Sequence, residues 1–348
     1  MLKKLVLGLL LIIVLAGAFI GWCFFTANTA FTEESKFLYI ATDHATYPDL
    51  LQSIKDSNYI KSPGAFDFLA KKMDLPEKIK PGRYEITNGM SLMEIVRMLR
   101  NARQAPVRLT ITKLRTKEDL AALIGKKLEC DSASVMSYIN NPDTVKTYGL
   151  DTNTVMTMIY PNTYMYFWDT SPRPVFEKLF AQFKKVWTPE RRQMAQQHGL
   201  TPVTAYILAS IVEEETTLDE DKGNITSVYL NRINKGMRLQ ADPTVKFALH
   251  DFALKRIYDK HLLVESPYNT YRNSGFPPGP ICTPSMETLD AVLKSPQTNY
   301  LYFVAKSDFS GHHVFSETYE QHLQYAKDFQ KAQDVEKQKK EALGSPHK

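Results

Sequence analysis

An apolar segment of this chain ends in the acidic run Ala209-Ser210-Ile211-Val212-Glu213-Glu214-Glu215-Thr216. Thr201 followed by Pro202 is typical of a helix N-terminus, so we predict one helix from Thr201 to the end of the run. At about 100° per residue, Glu215 lies on the apolar face of this helix and points inward. Glu213 and Glu214 turn toward the flanks, where solvent or ion pairing is expected.

The inward position of Glu215 has a chemical consequence. A carboxyl that is removed from water, and that sits near the negative end of its own helix, keeps its proton to a higher pH. A general acid needs that property. Glu215 is therefore a candidate catalytic residue. The alternative is a boundary glutamate whose carboxylate reaches water from the last turn of the helix.

Length and charge indicate the number of domains and the kind of partner. The chain has 348 residues and a net charge of +5. A membrane segment and a polar tail would leave about two domains of ordinary size. The positive charge is spread along the chain without a basic stripe, which argues against nucleic acid as the main partner.

Cysteine and motif content exclude further classes. The cysteines are Cys23, Cys130 and Cys282, so at most one bridge, between Cys130 and Cys282, could form outside a membrane. The chain lacks the spacings that mark zinc, dinucleotide and phosphate-loop sites. The pair His312-His313 has no third ligand in evidence. We predict no metal and no cofactor.

The N-terminus predicts a membrane anchor. Lys3 and Lys4 precede an uninterrupted apolar run from Leu5 to Phe25, long enough to cross a hydrocarbon core of roughly 30 Å. The lysines indicate a cytoplasmic N-terminus, with the bulk of the chain outside a membrane that it spans once. The alternative is a signal peptide cleaved after Ala16-Gly17-Ala18, but the apolar run continues past that site.

The rest of the chain predicts an α+β fold. After the anchor, we expect a β-α-α-β order: strand 36–42, helices 47–55 and 65–73, and strand 82–86. A capping box of Ser91 and Glu94 predicts the start of the next helix. Later segments predict further helices over 173–186, 189–198, 221–235 and 284–293, and a hairpin of 300–305 with 312–315.

Two polar loops suit carbohydrate. Gln240, Asp242 and Thr244 bring an amide, a carboxylate and a hydroxyl close to a proline that stiffens the chain. The alternative for this first loop is an Asp-Pro turn with ordinary capping bonds. The second loop alternates aromatic and hydrogen-bonding side chains. Its members are Tyr268, Asn269, Thr270 and Tyr271. A rigid proline segment, Phe276–Ile281, would hold the second loop in place, with Gly279 free for a left-handed turn.

Six motifs together closely resemble the YceG-like family over about residues 155–330. They are Ala209–Thr216, Val228–Arg232, Gly236–Val245, Tyr268–Tyr271, Pro277–Ile281 and Tyr300–Ala305. The likeness is looser over 36–150, where the family carries a LysM-like module. The residues themselves predict a cytoplasmic stub at 1–4, a transmembrane helix at 5–25 and a polar, frayed tail at 333–348. The resemblance implies a LysM-like module at 26–105, a connecting region at 106–196 and a catalytic domain at 197–332, with the predicted span in a bacterial inner membrane.

The resemblance also implies a reaction. Members of the family are lytic transglycosylases that cleave the β-1,4 bond between N-acetylmuramic acid and N-acetylglucosamine inside peptidoglycan strands, leaving 1,6-anhydro ends. The family's catalytic glutamate falls on Glu215, and the two polar loops fall on the expected glycan cleft, with Asp242 as the candidate for an electrostatic helper. Peptidoglycan synthases are the implied protein partners, because the activity is thought to end newly made strands.

Two other functions stay open at this point. A lysozyme-type hydrolase would use the same acid with water as the nucleophile. A non-catalytic scaffold would bind peptidoglycan strands without cutting them.

Overall fold

The structure, a computed structural model, describes residues 2–343. Within that range it describes no side chains at positions 2–5, 9, 13, 16, 18–20, 23 and 340–343. The chain forms two compact units. The first comprises Met1–Leu109, Leu123–Ser132 and Tyr164–Pro172; the second comprises Thr110–Ala122, Ala133–Thr163 and Arg173–Lys348.

The first unit is built on a β-α-α-β arrangement. Its elements in chain order are α1 (Leu2–Phe25), β1 (Ser35–Ile40), α2 (Tyr47–Asp56), α3 (Pro63–Lys72), β2 (Gly82–Thr87) and α4 (Leu92–Arg100). Strands β1 and β2 pair antiparallel, with Leu38 opposite Tyr84. Both side chains are buried, as is Phe66 of α3. The predicted order of these elements is confirmed, and so is the capping box, because the Glu94 carboxylate accepts from the Ser91 amide at 2.8 Å.

The N-terminal segment requires a correction. It forms helix α1, and crossing a bilayer takes about 20 consecutive apolar residues. Among the residues that the structure describes, no helix combines the length and the apolar character that such a crossing demands. The predicted transmembrane helix at 5–25, and with it the predicted single-pass location in the inner membrane, is therefore wrong.

Fifteen further α-helices and β-strands follow in the part of the chain that the structure describes. They are β3 (Val107–Ile111), α5 (Lys117–Lys127), α6 (Ser132–Asn140), α7 (Pro142–Lys146), β4 (Asn162–Tyr166), α8 (Pro172–Val186), α9 (Pro189–Gln197), α10 (Pro202–Glu215), α11 (Asp219–Asn234), α12 (Asp242–Ala248), α13 (Asp259–Leu262), α14 (Met286–Leu293), β5 (Tyr302–Ala305), β6 (His313–Ser316) and α15 (Tyr319–Leu343). Strands β3 and β4 form one two-stranded sheet, and β5 and β6 form another, antiparallel one. The predicted α+β class is confirmed.

Helix α10 is the central helix of the second unit. Its residues from Ala205 to Val212 are all buried, because the helix is apolar on every side and packs against α11 and α14. Thr201 caps it as predicted, since its hydroxyl oxygen accepts from the amide of Thr204 at 3.1 Å. The buried hydroxyl of Tyr206 donates to the carbonyl of Ile159. These contacts fix the position of the acidic run at the C-terminal end of the helix.

Two segments differ from the prediction. The proline loop at 237–245 is helical from Asp242, because a proline in the first turn is compatible with a helix start and its missing amide is not needed there. The tail, which we predicted to be polar and frayed, continues α15 as far as Leu343. Residues 344–348 of that predicted tail lie outside the described residues.

Candidate active site

Glu215 is the last residue of α10, and its carboxyl meets helix α11. The hydroxyl of Tyr229, a side chain only 1% exposed, donates a hydrogen bond to Oε1 of Glu215. The Glu215 side chain is therefore held at a defined position rather than extended into water. The inward orientation that the apolar face predicts is what the structure has.

The surroundings of Glu215 act on its proton affinity in opposite directions. Burial, the largest influence, and the negative charge of Asp242 raise the pKa of Glu215, whereas the hydrogen bond from Tyr229 and the positive charges of Lys246 and Arg232 lower it. The net result is a pKa of about 7. A carboxyl with this pKa carries a proton for much of the time near neutral pH and can return it there.

A cavity of about 310 Å³ opens beside this carboxyl. Its wall comes from α10, α11, the start of α12, the loop after α13, β5 and α15. The residues that line it are Glu215, Tyr229, Arg232, Leu239, Gln240, Asp242, Tyr271, Phe303 and His322. Four of the eight residues predicted for the site, Glu215, Gln240, Asp242 and Tyr271, thus surround one cavity.

Asp242 and Tyr271 form a second hydrogen-bonded pair in the cavity wall. The Tyr271 hydroxyl donates to Oδ1 of Asp242 at 2.5 Å. Burial, followed by the hydrogen bond and the charge of Asp242, raises the pKa of Tyr271 well above its usual range, so its proton stays on the phenol. The cavity therefore has two carboxyl groups, each bound by a tyrosine.

Gln240 adopts a strained backbone conformation at the edge of the cavity. Its φ is 53°, in the left-handed region that a residue with a Cβ enters at a cost of about 1 to 2 kcal/mol. Two contacts hold it there: its amide donates to the carbonyl of Thr270 at 3.1 Å, and Arg232 Nη1 donates to the carbonyl of Leu239 at 2.6 Å. The backbone strain thus occurs at a residue whose exposed amide side chain lines the cavity.

Three other predicted site residues are buried behind this wall. The Thr244 and Thr270 hydroxyls lie 2.8 Å apart, and the Thr270 oxygen accepts from the amide of Ala241 at 3.0 Å. Asn269 donates to the carbonyls of Leu262 and Val264 at 2.9 Å and accepts from the Tyr271 amide at 3.0 Å. Their hydrogen bonds thus position the backbone that presents the cavity residues.

Tyr268 is half-buried against Phe247, with ring centroids 4.7 Å apart, and burial raises its pKa to about 12. The nearby Gly279 does not adopt the left-handed turn that we predicted, since it is not among the positive-φ residues. A Cβ at this position would lie 2.2 Å from the carbonyl oxygen of Asn153 and 2.8 Å from the Tyr268 hydroxyl. Glycine is required here by close approach, which keeps the proline segment against the Tyr268 loop.

The two glutamates beside Glu215 have other contacts. Glu214 forms ion pairs with Lys113 at 2.6 Å and Arg115 at 3.1 Å, and these partners lower its pKa against the effect of burial. Glu213 accepts from the hydroxyl of Ser285 at 2.9 Å, at the N-cap of α14, and also from the hydroxyl of Thr288. Ion pairing on the flanks is thus observed, and neither residue lines the cavity.

Five cavity residues were not among the predicted site residues. They are Tyr229, Arg232, Leu239, Phe303 and His322. The i, i+3 spacing of Tyr229 and Arg232 places them on one face of α11 and was the available signal for both. Phe303 and His322 reach the cavity from elements distant in sequence. Among the described residues, no group of three or more His, Cys, Asp or Glu side chains could hold a metal ion.

The chain is similar to known proteins over most of its length. The model of the YceG-like family matches residues 39–328. An endolytic murein transglycosylase of Bacillus subtilis (strain 168) is 31% identical over 285 residues, which cover 77% of this chain and 78% of the relative. One from Streptococcus pneumoniae (serotype 2, strain D39) is 28% identical over 151 residues, 42% of this chain and 27% of the relative.

A solved structure is similar over most of the molecule. The crystal structure of a yceG-like protein from Listeria monocytogenes has a TM-score of 0.55 and 28% sequence identity, covering 84% of this chain and 99% of that one. The residues that the family model matches, 39–328, include all those that line the cavity. This chain belongs to the YceG-like family.

Proposed function

We propose that this protein is an endolytic murein transglycosylase that cuts the β-1,4 bond between N-acetylmuramic acid and N-acetylglucosamine within peptidoglycan strands and leaves 1,6-anhydro ends. The named relatives support peptidoglycan as the substrate. The single observation that carries the mechanism is the carboxyl of Glu215, whose pKa of about 7 lets it give and take a proton in a cavity beside a sugar chain.

In the first step Glu215 acts as the acid. Its proton moves to the glycosidic oxygen as the bond from that oxygen to C1 of the muramyl sugar breaks, so the N-acetylglucosamine leaves with a neutral 4-hydroxyl. Positive charge develops at C1. The carboxylate left on Glu215 is stabilised by the hydrogen bond that the Tyr229 hydroxyl donates.

In the second step the same residue acts as the base. The 6-hydroxyl of the muramyl sugar attacks its own C1, and its proton moves to the Glu215 carboxylate. The O6–C1 bond closes the 1,6-anhydro ring, and Glu215 is protonated again. No water is consumed, so one carboxyl suffices where glycoside hydrolases use two.

Asp242 takes an electrostatic role in this proposal. Its carboxylate lines the same cavity and accepts from the Tyr271 hydroxyl at 2.5 Å. A fixed negative charge favours the positive centre that develops at C1. It also raises the pKa of Glu215 and so keeps the acid protonated before the reaction.

The other predicted contact residues have two roles in this proposal. Gln240 and Tyr271, in the cavity wall, bind hydroxyl or acetamido groups of the glycan directly. Thr244, Tyr268, Asn269 and Thr270 support the loops that present them. The LysM-like module at 26–105, the termination of nascent strands and a peptidoglycan synthase as partner rest on the family resemblance and are proposals of the same kind.

The test is product analysis on uncrosslinked nascent glycan with the wild-type protein, Glu215→Gln and Glu214→Gln. We expect anhydromuramyl ends by mass spectrometry from the wild type and from Glu214→Gln, and none from Glu215→Gln. Circular dichroism checks that the inactive variant is folded. Reducing ends in place of anhydro ends would instead identify a lysozyme-type hydrolase. Binding without cleavage by the wild type would identify a scaffold.

A further inference from the structure

Helix α15 contributes one side chain, His322, to the cavity wall, and the mechanism above does not use it. Its imidazole stacks on the ring of Tyr302, with centroids 5.4 Å apart and planes 25° from parallel. The guanidinium of Arg232 also lies over the ring of Tyr302, 5.3 Å from its centroid. The ring of His322 is thus fixed in orientation by packing.

The two nitrogens of this ring are in different surroundings. Nδ1 is buried and has no hydrogen-bond partner among the described residues. Nε2 also forms no hydrogen bond within the described part of the chain, yet it is not one of the buried unpartnered atoms. Nε2 is therefore the nitrogen that the cavity can reach.

The protonation state follows from these surroundings. Burial, and then the positive charge of Arg232, lower the pKa of His322, so the ring is neutral near pH 7. A neutral imidazole carries one proton, and a buried N–H without an acceptor costs about 1 to 3 kcal/mol. The proton is therefore assigned to Nε2, which becomes a hydrogen-bond donor at the cavity.

We propose that His322 is a substrate-binding residue whose Nε2–H donates to an acceptor oxygen of an N-acetylated sugar in the cavity, either an acetamido carbonyl or a hydroxyl. The inference rests on the proposed function, which supplies the class of substrate. The cavity wall also presents the Glu215 acid, the Asp242 carboxylate with its bound Tyr271 phenol, and the amide of Gln240. His322 gives it a neutral donor on the side formed by α15.

Three substitutions separate hydrogen bonding from packing. His322→Gln places an amide near the position of Nε2, His322→Asn places one nearer Nδ1, and His322→Phe keeps the stacked ring without any donor. We expect His322→Phe and His322→Asn to lower kcat/KM on peptide-free glycan strands about tenfold, mainly through KM, as the loss of one hydrogen bond predicts. His322→Gln should stay within about threefold of the wild type.

A binding measurement keeps this test independent of the cleavage chemistry. Each substitution is also made in the Glu215→Gln protein, and the Kd for the same strands is compared with that of Glu215→Gln alone. A matching loss of affinity for Phe and Asn, with recovery for Gln, supports the inference even if the wild type proves not to be a transglycosylase. Equal affinity in all variants, or Gln as weak as Phe, would overturn it. Thermal unfolding identifies any variant that fails to fold, and the remaining ones still decide the outcome.

Discussion

The Tyr229 hydroxyl donates a hydrogen bond to Oε1 of Glu215 and joins the end of α10 to the middle of α11. This bond lowers the pKa of Glu215, whereas burial and the charge of Asp242 raise it. The proton affinity of the candidate acid is therefore set by a balance of neighbours that can be removed one at a time. If Glu215 is the acid, each removal should move the pH profile in a known direction.

Tyr229→Phe should move the alkaline limb of the pH profile to higher pH. The substitution removes a donor that favours the charged carboxylate, so Glu215 should keep its proton longer as the pH rises. The measurement is kcat/KM against pH, in which the wild type should lose activity above a pH of about 7. The maximum rate should also fall, since the carboxylate formed in the first step loses its hydrogen bond. An unchanged alkaline limb would mean that Tyr229 does not influence the pKa of the catalytic acid.

Asp242→Asn should move the same limb to lower pH. The negative charge of Asp242 raises the pKa of Glu215, and its loss leaves a carboxyl that ionises more readily. The amide still accepts a hydrogen bond from Tyr271, which preserves the wall of the cavity. Opposite shifts for Asp242→Asn and Tyr229→Phe, recorded on one substrate, would be hard to explain by general damage to the fold. Shifts in the same direction would contradict the assignment of the limb to Glu215.

Local periodicity is the signal behind the prediction of Glu215, because residues within two turns define the side of the helix that carries it. The hydrogen-bond partner Tyr229 lies 14 residues along the chain, on another helix, and becomes a neighbour only when α10 packs on α11. Phe303 and His322 depend in the same way on how β5 and α15 close the cavity. The sequence also could not show which polar loop residues line the cavity. Gln240 does, whereas Thr270 is buried behind the cavity wall.

The apolar N-terminus shows a different limit of prediction from sequence. Apolar composition predicted a membrane span, whereas in the described residues no helix has the length and apolarity for one. The α+β order was predictable because strand alternation and helix caps are local signals, such as Ser91 and Thr201.

Glu215→Gln should make the protein more stable at alkaline pH. The folded-state pKa of about 7 lies above the ordinary value of 4.5, so the folded protein binds more protons than the unfolded chain between these values. Wild-type stability therefore falls as the pH rises through this window, and glutamine has no such loss. Chemical denaturation at pH 4.5 and pH 8 should show the advantage of Glu215→Gln growing by about 2 to 3 kcal/mol. A constant difference would mean that Glu215 has an ordinary pKa.

Glu213→Gln should reduce stability and leave the chemistry intact. Its carboxylate accepts from Ser285 and Thr288 at the start of α14, so the loss of charge weakens a helix cap by about 1 to 2 kcal/mol. The thermal midpoint should fall, whereas kcat of the folded protein should match the wild type. Glu214→Gln is the control, because it loses the ion pairs with Lys113 and Arg115. A collapse of kcat in either folded variant would show that the cavity-facing glutamate is misassigned.

Gln240→Gly should relieve strain and weaken substrate binding together. Glycine enters the left-handed region freely, which gains about 1 to 2 kcal/mol in the folded state, against about 0.4 to 1 kcal/mol lost to the greater freedom of the unfolded chain. The net effect should be a small rise in the thermal midpoint. The missing amide should raise KM for glycan strands. Ala102→Gly, at a φ of 49° and outside the cavity, is the matched control and should change stability alone. An unchanged KM in Gln240→Gly would show that Gln240 shapes the loop and does not bind the glycan.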